Sequence, residues 1–132
     1  MQSIRLRRRI VLVCSLVVLT TVRCSEEPLA PPRVPGQFTL VVVSPTNDDG
    51  AALVELDGAG VTSVGADSAE VLADTRDGRL RVVVARRSPG ALVFTLGVRD
   101  TAAVLDPVLL EVAGAADEPR SSLAGYTIEV RK

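Results

Sequence analysis

The chain has no histidine and no tryptophan, and its 132 residues include only two phenylalanines and one tyrosine. Enzymes use histidine more often than any other side chain as a general base, and transition-metal sites depend on it as a ligand. Nucleic-acid bases stack on aromatic side chains, so the scarcity of these argues against a nucleic-acid partner. These absences favour a non-catalytic protein that needs no cofactor.

Cysteine is equally sparse, because the chain has only Cys14 and Cys24. Cys14 lies inside an apolar run near the N-terminus, and residues 25–132 contain no cysteine. A domain built from those residues has no thiolate to offer a metal and no internal disulfide. Zinc, copper and haem sites are therefore not expected.

The first 23 residues have the layout of an export signal. Arginines crowd the stretch before Ile10, and an uncharged run of thirteen residues, IVLVCSLVVLTTV, extends from Ile10 to Val22. As a helix this run would span about 20 Å at ~1.5 Å per residue, which is shorter than the ~30 Å hydrocarbon core of a bilayer. We therefore predict a signal peptide at residues 1–23, with a retained signal-anchor as the alternative.

Cys24 stands where the apolar run ends, and a Ser-Glu-Glu segment follows it. This arrangement resembles bacterial lipoproteins, in which the cysteine sulfur receives a diacylglycerol and the cysteine becomes the new N-terminus. The resemblance implies lipid attachment at Cys24 and an exported, membrane-anchored position in the cell envelope. Arg23 and Thr21 occupy the positions where lipoproteins carry a small residue and a leucine. The alternative is an unmodified Cys24 behind a signal-anchor.

Four prolines follow this cysteine, at Pro28, Pro31, Pro32 and Pro35. They favour extended polyproline geometry of ~3.1 Å per residue, which is typical of a semi-rigid spacer. We predict that residues 24–36 comprise the lipid-attachment cysteine and a tether, although a disordered arm without a spacing role is the alternative.

The charge of the chain changes once the leader is set aside. Five of the fifteen basic residues lie in the leader, so ten basic residues face all sixteen acidic ones from Cys24 onward, a formal net charge of −6. A chain with this balance and no basic stripe is poorly suited to the phosphate backbone of DNA or RNA. No nucleic-acid partner is expected.

After Gly36 the apolar residues recur with a period of two, which predicts β-strands. Asp77-Gly78 between two such runs predicts a two-residue hairpin turn. Strands are predicted at residues 37–43, 52–57, 68–73, 79–87, 91–98, 108–112 and 124–130. Side chains predicted to face inward are Phe38, Leu40, Val42, Ala52, Val54, Leu56, Ala69, Val71, Ala73, Leu80, Val82, Val84, Leu92, Phe94, Leu96, Val98, Tyr126, Ile128 and Val130.

Seven to eight short strands at this spacing predict an all-β fold, a single antiparallel, immunoglobulin-like or cohesin-like β-sandwich at residues 37–132. The segment GALVFTL at residues 90–96, which leads into a strand predicted to end at Arg99, resembles the strand patterns of cohesin-type and carbohydrate-binding-module-type sandwiches. That resemblance bears on the fold alone, because sandwiches of this kind serve many functions. Residues 100–105 precede Pro107, and we predict a loop or a single turn there.

The best candidate for a metal site is the loop Asn47, Asp48, Asp49 and Gly50. It concentrates the oxygen ligands that calcium prefers, although it lacks the spaced pattern that ends in a bidentate glutamate. The same residue types are also what a tight turn requires. Asn47, Asp48 and Asp49 are therefore weak calcium candidates, with a purely structural turn as the alternative.

Arginines form the second candidate site, because Arg79, Arg81 and Arg87 share one face of a predicted strand and Arg86 and Arg99 lie near. Such a set would make a basic patch for an acidic partner or for phospholipid head groups. The alternative is a solvated strand whose charges prevent pairing with another sheet edge.

These observations predict a non-catalytic, membrane-tethered, extracytoplasmic β-sandwich that mediates protein interaction or has a structural role in the envelope. The alternative is an extracytoplasmic module that binds calcium or a glycan. A glycan site usually offers exposed aromatic platforms, whereas Phe38, Phe94 and Tyr126 are all predicted to face inward.

Overall fold

The computed structural model describes residues 30–132, and Pro32–Lys132 form one compact unit. The predicted leader, Cys24 and most of the predicted tether lie outside the described residues. The described part contains eight strands: β1 (Gly36–Val43), β2 (Asp49–Asp57), β3 (Val61–Gly65), β4 (Glu70–Arg76), β5 (Arg79–Ala85), β6 (Leu92–Val98), β7 (Val108–Gly114) and β8 (Thr127–Arg131). In this part of the chain, no helix is both long enough and apolar enough to span a membrane.

The strands form two four-stranded sheets that pack face to face. Sheet A has the order β3-β6-β1-β8, and sheet B has the order β4-β5-β2-β7. Neighbouring strands within each sheet are antiparallel. Across the interior β3 faces β4, β6 faces β5 and β8 faces β7. The predicted single antiparallel β-sandwich is confirmed.

The core lies between the two sheets and follows the period of two in the sequence, because successive side chains of a strand point to opposite faces. In the four central strands, every side chain predicted to face inward is buried. Each valine or leucine that is fully buried stabilises the fold by about 1.5–3 kcal/mol. The buried apolar residues are Phe38, Leu40, Val42, Ala52, Val54, Leu56, Leu80, Val82, Val84, Leu92, Phe94, Leu96, Val98, Leu105 and Val112.

The predicted hairpin turn joins β4 to β5. Arg76 pairs with Arg79, so the loop contains only Asp77 and Gly78. Both loop residues have positive φ, 51° at Asp77 and 79° at Gly78. That combination is the type I′ turn, whose twist matches the twist of the strands it connects.

The bounds of two central strands differ from the prediction, because β2 begins at Asp49 and β5 ends at Ala85, before Arg87. The larger differences concern the edge strands. β3 was not predicted, because its two valines are separated by Thr62 and Ser63 and it forms only by pairing with β6. β4 and β8 lie later than predicted, at Glu70–Arg76 and Thr127–Arg131.

Two side chains on the inward side of these edge strands are nevertheless exposed. Ala73 of β4 is exposed, and Val130 of β8 is 42% exposed. Both pair with buried residues, Val82 and Leu40, so their alternation is as predicted. They stay exposed because an edge strand has a neighbour on one side only.

Candidate functional site

The three calcium candidates lie at the turn that leads from β1 into β2. The Asn47 N–H donates a hydrogen bond to Ser44 Oγ at 2.9 Å, and Asn47 has a φ of 58°. Asp48 is exposed, whereas Asp49 begins β2 and is only 1% exposed. Asn47 therefore serves the turn, and the two aspartates face different surroundings.

A single guanidinium brings the acidic side chains together. Arg120 Nη2 lies 2.6 Å from Asp48 Oδ1, and Arg120 Nε lies 3.2 Å from Asp49 Oδ1. Arg120 Nη1 lies 3.4 Å from Glu118 Oε1. The Tyr126 hydroxyl donates a second hydrogen bond to Asp49 Oδ1 at 2.9 Å. We call these five residues the Arg120 cluster.

Hydrogen bonds and neighbouring charges in the Arg120 cluster favour the charged forms of Asp48 and Arg120. A hydrogen bond from the Thr46 side chain, together with the Arg120 guanidinium, lowers the pKa of the Asp48 carboxyl below its ordinary value of 3.8. The hydrogen bond to Asp48 raises the pKa of Arg120 in turn. Asp48 and Arg120 therefore both remain charged at physiological pH.

This geometry bears on the calcium hypothesis. A cation that bound Asp48 and Asp49 together would have to displace Arg120 or sit against its positive charge. Within residues 30–132, no three His, Cys, Asp or Glu side chains are grouped so that they could hold a metal ion. Asp49 Oδ2 is buried and has no hydrogen-bond partner in the same part of the chain. The arrangement is that of a buried ion pair that fastens the fold.

The Arg120 cluster joins parts of the chain that are far apart in sequence. Its loop is fixed to sheet B by backbone hydrogen bonds, from Ala115 N–H to Asp48 O and from Arg120 N–H to Val112 O. Tyr126 lies directly before β8 of sheet A. Sequence reasoning missed the roles of Glu118 and Arg120, because no local spacing relates them to Asp49.

The arginines of β5 do not form an unpaired basic patch. Arg79 and Arg81 both contact Glu55, at 3.4 Å and 2.9 Å. The Arg81 hydrogen bond, with a smaller contribution from Arg79, lowers the pKa of Glu55 below its ordinary value of 4.5. Arg87 pairs with Glu70 at 3.3 Å, although both side chains are highly exposed. Arg79, Arg81 and Arg87 thus each face a carboxylate.

The outer face of sheet B carries a row of apolar side chains. Leu72 of β4 pairs with Val83 of β5, and Val83 pairs with Leu53 of β2. Leu72 is 74% exposed and Val83 is 38% exposed, while Leu53 is half-buried. These three residues, which we call the apolar row, point away from the core, because Leu53 and Val83 alternate with buried core residues and Leu72 pairs with Val83.

A row that contains charged residues borders the apolar row on each side. Cross-strand pairing aligns Asp74, Arg81 and Glu55 into a second row, which we call the charged row. On the opposite side, Glu70 pairs with Ala85, and Ala85 pairs with Ala51. The last strand, β7, adds Val108 beside Glu55 and Leu110 at a register shift, and both are exposed.

The outer face of sheet A is more polar in the corresponding positions. Thr39 pairs with Thr95 on one side and with Arg131 on the other. Val41 lies between Val93 and the exposed Glu129. The two outer faces therefore differ, and the exposed apolar groups gather on sheet B.

Comparison with known proteins supplies no relative. No protein-family model, curated protein or solved structure matches this chain. What the chain does must therefore be inferred from its own surface, and the outer face of sheet B is the surface with the most exposed apolar side chains.

Proposed function

We propose that this chain is a non-catalytic, membrane-tethered, extracytoplasmic β-sandwich that binds another envelope protein through the outer face of sheet B. The observation that supports this proposal is the position of the exposed apolar side chains. Of the seven large apolar side chains exposed in residues 30–132, four belong to sheet B, namely Leu72, Val83, Val108 and Leu110. Val130 belongs to sheet A, and Val34 and Val104 lie outside the strands. Exposed apolar groups that gather on one surface are typical of protein-binding sites.

The layout of this face suits a protein partner. Protein interfaces have an apolar centre and a polar rim. Here the apolar row provides the centre, and the charged row provides one border, with Arg81 and Glu55 already paired. The strands beneath are fixed by the core, so the face would bind without rearrangement.

A protein partner is favoured over a glycan because of where the aromatic side chains lie. Phe38 and Phe94 are buried, and the Tyr126 hydroxyl is bound to Asp49. None of the three therefore offers a flat exposed ring to a sugar. The resemblance to cohesin-type and carbohydrate-binding-module-type sandwiches is in keeping with a binding role but does not select the ligand.

The tethered, exported part of the proposal is supported by the sequence. The basic and apolar leader, the position of Cys24 and the proline-rich segment together resemble a lipoprotein with a spacer. The bacterial membrane would then hold the sandwich through a lipid on Cys24, or through a retained signal-anchor.

Quantitative affinity capture from the native envelope tests the proposal. We expect Val83→Asp, which puts a charge into the apolar row, to reduce recovery of at least one co-purified protein by about tenfold. Val93→Asp places the same charge on the outer face of sheet A and is the matched control. Equal recovery of every co-purified protein with both variants and the wild type would contradict the proposal.

A further inference from the structure

Strand β4 presents an open edge of sheet B. Within residues 30–132 it pairs with β5 alone. The pairing runs without a register shift through all seven residues, from Glu70 opposite Ala85 to Arg76 opposite Arg79. A straight, unpaired edge of this kind is a template for another strand.

The register shows which backbone groups of β4 are free. Arg86 N–H donates to Gly50 O of the neighbouring β2 segment. Backbone groups alternate in direction along an antiparallel strand, so the odd-numbered residues of β5 bond to β4. Their partners in β4 are Glu70, Leu72, Asp74 and Arg76. The N–H and C=O groups of Val71, Ala73 and Thr75 therefore point away from β5.

The other three edges are less suited to pairing. β3 has five residues and a register shift between Val61 and Ser63. β7 has two irregularities opposite β2, and Ala113 already forms a bridge with Pro119. β8 has five residues with Glu129 at its centre. Short strands, bulges, covering segments and charged side chains are the devices by which proteins prevent edge pairing. Of these, β4 has only charged side chains, at Glu70, Asp74 and Arg76.

We infer that a second copy of this chain pairs its β4 antiparallel to β4, centred on Ala73. In this register Val71 lies opposite the partner's Thr75, and Ala73 lies opposite the partner's Ala73. These are the residues with free backbone groups, so the two strands form about six hydrogen bonds. The result is one sheet of eight strands, with a two-fold axis at Ala73.

The outward side chains at the two ends of β4 fit this pairing, while between them Leu72 lies opposite the partner's Asp74. Glu70 lies opposite the partner's Arg76, and Arg76 lies opposite the partner's Glu70, so the symmetry gives two attractive pairs. Directly opposed charges of opposite sign stabilise a sheet, whereas like charges destabilise it. Full-length pairing of β8 with itself would instead oppose Glu129 to the partner's Glu129. Charge complementarity therefore selects β4 as the self-pairing edge.

This inference goes beyond the proposed function and uses a different surface. It depends on the backbone edge of β4, whereas the proposed function depends on the outward side chains of sheet B. The inference and the proposed function are connected in one respect. Pairing of β4 with β4 would place the outer faces of two copies of sheet B side by side. Either one can fail while the other holds.

Sedimentation equilibrium of the full chain in a density-matched neutral detergent tests the inference. We expect a concentration-dependent shift from the monomer mass of 13.9 kDa to twice that mass. Glu70→Arg alone and Arg76→Glu alone should each raise the dimer dissociation constant by about tenfold, because each creates two like-charge pairs. The double variant restores both attractive pairs and should return the constant to within about twofold of the wild type.

Two further variants separate edge pairing from general damage. Glu129→Arg makes the same charge reversal on β8 and should leave the dissociation constant unchanged. Ala73→Pro removes an N–H that β5 does not use, a position where an edge strand tolerates proline. It should give a folded monomer, with its fold checked by circular dichroism.

Three results would overturn the inference. The first is a wild type that stays monomeric at its highest soluble concentration. The second is a dimer that persists in folded Ala73→Pro. The third is a double variant with a dimer no tighter than that of either single variant. If the wild type is monomeric but its β4 amides are protected from hydrogen exchange in the native envelope alone, a different protein occupies this edge. That result would also overturn self-pairing.

Discussion

Asp49 is the only charged side chain that is buried in residues 30–132. Its Oδ1 accepts hydrogen bonds from Arg120 Nε and from the Tyr126 hydroxyl. A buried carboxylate is costly unless it is paired, and removing one member of such a pair leaves the others unsatisfied. We therefore regard Asp49 as a fastening point that connects β2 to the loop before β8.

Replacing Asp49 tests this role. Asp49→Ala should lower the free energy of unfolding by about 3 kcal/mol, because Tyr126 and Arg120 lose their shared acceptor. Tyr126→Phe should cost about 1–2 kcal/mol. The double variant should cost less than the sum of the two, as measured by urea unfolding. Asp67→Ala, at an exposed aspartate, should change stability by less than about 0.5 kcal/mol. An equally small change in stability for Asp49→Ala would contradict the role of Asp49 as a fastening point.

Glu55 makes the stability of the fold depend on pH. Its pKa in the folded chain lies below the ordinary value of 4.5, with the Arg81 hydrogen bond as the first cause. A group with a depressed folded pKa contributes stability above the unfolded pKa, and that stability is lost as pH falls through the folded value. The contribution of Glu55 is therefore complete at neutral pH, begins to decline as pH falls below about 4.5, and is gone only below the lower folded pKa.

Thermal unfolding between pH 7 and pH 2 measures this contribution. We expect Glu55→Gln to lower the melting temperature at pH 7 and to reduce the loss of stability on acidification. Arg81→Met should flatten the profile in the same way, because Arg81 is the nearer partner of Glu55. Profiles parallel to that of the wild type would show that the pair does not contribute.

At the scale of elements, the turn between β4 and β5 depends on one glycine. Gly78 has a φ of 79°, where a side chain is strained even though an added Cβ would meet nothing within 4 Å. Gly65, in contrast, lies in β3 without positive φ, and an added Cβ would meet Thr95 Oγ1 at 3.7 Å, an ordinary contact. Gly65 is therefore a matched control for a substitution at Gly78.

We expect Gly78→Ala to destabilise the fold by about 1 kcal/mol. Gly65→Ala should be neutral or slightly stabilising, since alanine restricts the unfolded chain. Urea unfolding of the two variants measures the difference. Equal stabilities would mean that the turn tolerates a side chain at Gly78.

The strand pattern could be predicted from the sequence where the alternation was strong. β1, β2, β5 and β6 lie in sheet centres, and their inward residues were identified correctly because burial on one face imposes the period of two. β3 and the bounds of β8 could not be predicted in this way, because edge strands are defined by their pairing partner. The Arg120 cluster was not predictable either, since Asp49 and Tyr126 are 77 residues apart.

At the scale of the whole molecule, the sandwich divides its surface unevenly. The core is enclosed between sheets A and B, while the exposed apolar side chains concentrate on the outer face of sheet B. In the charged row beside them, Arg81 and Glu55 form an ion pair. In the proposed arrangement, Cys24 fastens the chain to a membrane and the prolines hold this face away from it.

The proposed lipid on Cys24 has a direct readout. We expect palmitate labelling of the wild-type protein and its loss in Cys24→Ser, because the thiol is the acylation site in lipoproteins. Cys14→Ser should retain the label, because Cys14 lies in the predicted leader. An unlabelled wild type with the mass of the full-length chain would indicate a retained signal-anchor instead.

We propose that sheet B, and not sheet A, faces the protein partner. Site-specific photo-crosslinking in intact cells tests this orientation, with a photoreactive amino acid placed at Val83 or, on sheet A, at Val93. We expect a discrete covalent adduct with another envelope protein from Val83 and none from Val93. An adduct from Val93 alone, or no adduct from Val83, would contradict it.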